Sequence, residues 1–157
     1  MTTGPTESLQ ERFAPHLACF GCGPANPKGL RIRSVPEGEA VVARWRPEVH
    51  HEAYPGMLNG GIVGALMDCH SNWAAAWHLM NAAGAATPPC TVTSDFHVKL
   101  RRPTPTDREL LLRATVAEAR DDRATIDCSL EADGVVTATC TGLFVAVKEG
   151  HPAYHRW

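Results

Sequence analysis

Gly60–Asn81 reads GGIVGALMDCHSNWAAAWHLMN, almost continuously apolar apart from Asp68, His70, Ser71 and Asn72 near its middle. Asn59 in front is a good N-cap, and Gly84 with Pro88-Pro89 behind supplies breakers, so one helix is expected over 60–81. A membrane span is disfavoured, because the polar side chains fall where a bilayer penalises them most. A helix apolar nearly all round is what the centre of a soluble domain requires.

The segments around this helix read as strands. Glu39–Arg46 is one, ahead of the loop His50–Asn59, which carries the Pro55-Gly56 turn signal. After the helix, Cys90–Leu100 (CTVTSDFHVKL) alternates Val92, Ser94, Phe96, Val98 and Leu100 against Thr91, Thr93, Asp95, His97 and Lys99. That is a period-two strand. Leu110–Arg120, Arg123–Ala132 and Val135–Val147 supply three more, the last two joined by the hairpin signal Asp133-Gly134. The expected fold is α+β, a curved antiparallel sheet wrapped around one central helix. Its edge strand would be unpaired, so extension of the sheet across a homodimer is the natural remedy. Residues 1–157 read as a single domain. Within it, 1–18 is a loose leader with a short helix around Ser8–Phe13, and Cys19–Leu30 (CFGCGPANPKGL) is a compact loop.

At 157 residues the chain can bury a core without disulfide or metal staples, and its 44% hydrophobic and 20% charged residues are an ordinary globular balance. A net charge of -2 gives no global attraction to nucleic acid or an anionic membrane, and neither partner is expected. Met1–Gln10 is polar and lacks a secretory apolar region, so the cytoplasm is the default address. The six cysteines are then expected as reduced thiols rather than a disulfide framework.

Chemistry concentrates in Tyr54–Asp68 (YPGMLNGGIVGALMD). Gly60 and Gly61 fall where loop becomes helix, at unpaired amides on the positive end of a dipole. Those amides would polarise a carbonyl; equally, the glycines could simply turn the chain. Asp68, between Met67 and Cys69, is either a structural carboxylate answering a buried partner or a poised base or nucleophile. It lies about 12 Å along the helix from Gly60, too far for both groups of one chain to address the same carbonyl carbon. Two antiparallel helices across a twofold axis would bring one chain's amide to the other's carboxylate.

From about Cys19 to Val147 the chain resembles the hot-dog-fold thioesterases of the acyl-CoA and phenylacetyl-CoA type. Their hallmark is His-Gly-Gly opening the central helix, with an acidic residue nine positions after the His; here stand Asn59-Gly60-Gly61 and Asp68. CFGCGPANPKGL resembles a C-x-x-C-G-x-x-N-P-x-G-L segment of one branch, and Lys99–Pro103 (KLRRP) the family's basic strand end. The resemblance implies hydrolysis of an acyl-CoA or acyl-carrier-protein thioester. Gly60 would donate its amide to the thioester carbonyl, and the partner's Asp68 would activate water or attack directly. Thr93 would orient the water, although the alternation of its strand points Val92 rather than Thr93 at the helix. Asn59 would contribute a side-chain hydrogen bond, while Gly61, His51, Gly56, Arg101 and Arg102 would contact substrate. No cofactor is implied beyond the CoA of the substrate itself, and the partner is a second copy of the chain, as homodimer or dimer of dimers.

Asn59 departs from the family His, and Ala53 stands where some members place an Asn that holds the water. Two alternatives therefore accompany hydrolysis: a protein that binds acyl-CoA without turning it over, and a hot-dog dehydratase or hydratase, which the missing His disfavours. Cys19-x-x-Cys22, with His16 three residues earlier, lacks a convincing fourth ligand and reads as loop structure, so no metal site is expected. Trp73 and Trp77, four apart, read as packing rather than a ligand box.

Overall fold

A computed structural model describes residues 6–157. In chain order it contains helix α1 (Leu9–Phe13), strands β1 (Val35–Glu37) and β2 (Ala40–Trp45), and a 3-10 turn (Val49–His51). The short strands β3 (Glu52–Tyr54) and β4 (Met57–Leu58) lead into helix α2 (Gly60–Ala82). The long strands β5 (Thr91–Leu100), β6 (Leu110–Arg120), β7 (Arg123–Ala132) and β8 (Val135–Ala146) follow.

The sheet runs β1-β2-β6-β7-β8-β5, antiparallel at every pair, and α2 packs on one face of it. This is the hot-dog arrangement expected from the sequence. Alternate residues of β7 (Ala124, Ile126, Cys128, Leu130) face the helix and are nearly inaccessible, as are Leu66, Met67 and Trp73 on α2. Each fully buried Leu, Ile or Met contributes about 1.5–3 kcal/mol. The seam between helix and sheet is therefore the main source of stability. β3 and β4, not foreseen in the loop 50–59, form a separate small ribbon.

The ends of α2 follow local chemistry. At the C-terminus Gly84 adopts φ 61°, a left-handed conformation that glycine enters without steric cost. Ala85 N–H then donates to Met80 O and Gly84 N–H to Asn81 O, the paired bonds of a Schellman stop. Between β7 and β8, Asp133 and Gly134 both have positive φ, the type I′ geometry that matches strand twist.

The leader expected to be loose is docked over its described part. Ser8 and Glu11 cap each other across the first turn of α1, and Leu9 and Gln10 are buried. Gln10 reaches Ser34 through two hydrogen bonds, and Ser34 Oγ meets His70 Nδ1 on α2 at 2.8 Å. A polar chain of this kind lies beyond a reading by composition, since its members are far apart in sequence. Among the described residues, no helix is long and apolar enough to cross a membrane.

Candidate active site

The start of α2 is organised by Asn59. Its Oδ1 accepts from Gly61 N–H at 2.8 Å and from Ile62 N–H at 3.2 Å, while its carbonyl accepts from Val63 N–H at 3.1 Å. Three of the first four amides are thereby satisfied. Gly60 N–H finds no acceptor among the described residues. It stands at the positive end of the helix dipole, the position from which an amide polarises a carbonyl. The two glycines have different steric reasons. A Cβ on Gly61 would come within 2.9 Å of Asn59 Oδ1, and one on Gly60 within 3.1 Å of Leu100 Cδ1.

Two turns further on, Asp68 is half-buried, and its Oδ1 accepts from Thr93 Oγ1 on β5 at 2.6 Å. Burial pushes the carboxyl above its usual range; the Thr93 hydrogen bond opposes this, the Cys19 thiol adds to it, and Arg156 opposes it. Thr93 faces the helix, against the alternation expected for its strand. The reason is a β-bulge: the β5–β8 register shifts between Thr93 and Asp95, so Ser94 is an extra residue. Above it Thr91 and Thr93 face α2, Thr91 being hydrogen-bonded to Asn72; below it the phase reverses.

Other expected site residues divide. Arg101 and Arg102 join Gly60, Ala53, Tyr54 and Leu100 around one open cavity of about 330 Å³ at the helix N-terminus. Both arginine amides donate to Thr137 O, which fixes the strand end that carries them. Gly56 (φ 82°) forms the tip of the β3–β4 ribbon, its carbonyl accepting from Thr106 N–H. His51, expected to touch substrate, instead turns inward. Its ring packs 5.0 Å from that of Trp45, its Nδ1 accepts from Glu48 N–H, and its carbonyl holds Asn59 N–H. Its physical part is to set the approach to the helix cap. Trp73 and Trp77 are packing residues: Trp73 is buried and stacks on Trp157, and Trp77 lies near Phe13. Leu100 and Tyr54 were missed as site residues. Their exposure, 59% and 56%, is visible only once the fold places them beside Gly60.

Residues 55–139 match the family model described as the thioesterase superfamily. A search of curated proteins finds no match. Among solved structures, a thioesterase superfamily protein from Shewanella loihica PV-4 is 26% identical, with TM-score 0.63 over 74% of this chain and 91% of that one. A phenylacetic acid degradation-related protein from Ralstonia eutropha JMP134 is 20% identical (TM-score 0.60; 73% of this chain, 83% of that one). The E. coli PaaI protein from the phenylacetic acid degradation operon is 15% identical (TM-score 0.62; 76% and 81%). The last two likenesses are of fold alone. The family match takes in more than half of the sequence, with Gly60, Asp68 and Thr93 inside it, and on that ground the chain belongs to the thioesterase superfamily.

Proposed function

We propose that the protein hydrolyses an acyl-CoA or acyl-carrier-protein thioester at a site shared between two copies of the chain. The observation that carries this is the pairing of an uncommitted Gly60 amide with a half-buried, Thr93-held carboxylate on the same helix. The amide would take the developing oxyanion, and Asp68 would activate water or attack the carbonyl carbon. Both groups sit on one rigid helix about 12 Å apart, so a second α2, antiparallel to the first, would complete the pair. β5 supports such an arrangement: it is a sheet edge, and Phe96 and Leu100 on it are 43% and 59% exposed. A second copy pairing there would cover both.

CoA enters this reading as part of the substrate, with Arg101 and Arg102 at the cavity rim suited to its phosphates. Hydration chemistry gains no support, since His70, two residues from Asp68, is turned into the core toward Ser34 and Val41.

The test is thiol release from a panel of acyl-CoAs by wild type and Asp68→Ala. Saturable release that falls by at least about a hundredfold in the variant is expected. Tight binding of every thioester with no release by wild type would overturn hydrolysis and leave a protein that only binds its ligand.

A further inference from the structure

Three sulfurs meet where the N-terminal loop crosses α2. Cys19 and Cys22 come from the Gly/Pro-rich loop, and Cys69 follows Asp68 on the helix. Their Sγ atoms all lie within 4.8 Å of one another, and Cys19 and Cys69 are 3.8 Å apart. Two thiolates on a tetrahedral zinc, each bonded at about 2.3 Å, stand roughly 3.8 Å from each other. One pair therefore already has ligand spacing, and closure of no more than about 1 Å brings the widest pair to it.

The loop is shaped around these sulfurs. Gly21 crosses so close to Cys69 that a Cβ would stand 2.4 Å from its Sγ, and a Cβ on Gly23 would stand 2.4 Å from Cys19 N. Gly23 N–H donates to Cys19 O at 2.8 Å, and Leu30 N–H to Phe20 O at 2.7 Å, which ties the turn shut. Trp73 Nε1–H donates to Cys22 Sγ at 3.3 Å, the kind of outer-shell donor that orients a metal-bound thiolate. The sequence pattern lacked further ligands because Cys69 lies far along the chain, and only the fold brings it to the C-x-x-C turn.

We propose that Cys19, Cys22 and Cys69 form a three-thiolate site for a soft divalent cation of the zinc class, which staples the N-terminal loop to the central helix. Three protein ligands leave the fourth position of a tetrahedral ion to water or an added ligand. Bound there, the ion would fix the loop and the helix turn that carries Asp68.

The full-length chain, purified with a phosphine reductant, is analysed for bound metal, stripped with chelator, and titrated with Co²⁺ and then Zn²⁺. Expected are about one metal per chain, a near-ultraviolet thiolate-to-cobalt band that zinc abolishes, and a higher melting temperature with zinc. Cys19→Ser and Cys22→Ser should lose the band, whereas Cys90→Ala should keep it. Folded, reduced wild type that gives no cobalt band overturns the proposal, and so does a band unchanged in Cys19→Ser. Because the readout is metal uptake, the result stands apart from whether the protein cleaves thioesters.

Discussion

Thr93 Oγ1 donates to Asp68 Oδ1 at 2.6 Å, so one hydrogen bond joins the edge strand β5 to the central helix at its half-buried carboxylate. The bond orients the carboxylate and opposes the upward pull of burial on its pKa. A hydrogen bond to a charged group is worth about 1.5–3 kcal/mol. Thr93→Val should therefore lower kcat by about ten- to a hundredfold and move the acid limb of the pH profile to higher pH. Thr93→Ser should restore both. A Val variant with an unmoved limb and wild-type kcat would show that the contact only packs.

That contact also marks how far the sequence could be read. The apolar run of α2 between its Asn59 cap and the Gly84 breaker, and the Asp133-Gly134 turn, were enough for the helix and its neighbouring strands, because these signals are local. Asp68 stood out for the same reason, a carboxylate in an apolar run. The orientation of Thr93 was not legible, because a bulge inserts Ser94 and reverses the inward face of the strand partway along it. Alternation carries no information about where such an insertion falls. Nor could spacing reveal that His51 would be taken up by Trp45 and Glu48, or that Cys69 would meet Cys19, since both depend on tertiary contacts.

Gly60 occupies the first position of α2, where proline is well tolerated because its missing N–H costs the helix nothing. Asn59, at φ -62° and ψ 133°, is already in the extended conformation required before proline. Gly60→Pro should therefore fold, with exposed Leu100 giving way to the new ring, yet lack the amide assigned to the oxyanion. Loss of one such donor costs about a hundred- to a thousandfold in kcat. Circular dichroism and thermal melting should stay close to wild type while turnover falls by that factor. Near-normal turnover would remove Gly60 from the chemistry.

His70 is fully buried, and its Nε2 lies 2.9 Å from Val41 O. A carbonyl only accepts, so Nε2 carries the proton and Nδ1 accepts from Ser34 Oγ. Burial lowers the imidazole pKa from 6.5 to about 4. The unfolded chain thus takes up a proton that the folded chain refuses. The stability from this residue is complete above about pH 6.5 and is lost as pH falls toward 4, with about 2 kcal/mol gone at pH 5. Asp68, shifted upward, works in the opposite sense, so the comparison must be with a variant. Urea unfolding of metal-free protein at pH 7 and pH 5 should show a larger drop for wild type than for His70→Gln, whose amide can still donate to Val41 O. Equal drops would mean that His70 is not the source.

If each site combines Gly60 of one chain with Asp68 of the other, two inactive variants should repair each other. Gly60→Pro lacks the amide but keeps the carboxylate; Asp68→Asn lacks the carboxylate but keeps the amide. In a mixed dimer one site inherits both defects and the other neither, because a twofold interface exchanges the same groups in both directions. Random reassembly of equal amounts makes about half the dimers mixed, so about a quarter of wild-type activity should return on refolding the two together. The measurement is thiol release before and after co-refolding, with each variant refolded alone as the baseline. Activity that stays at the baseline, with mixed dimers verified by mass, would place the amide and the carboxylate in separate sites and break the shared-site reading.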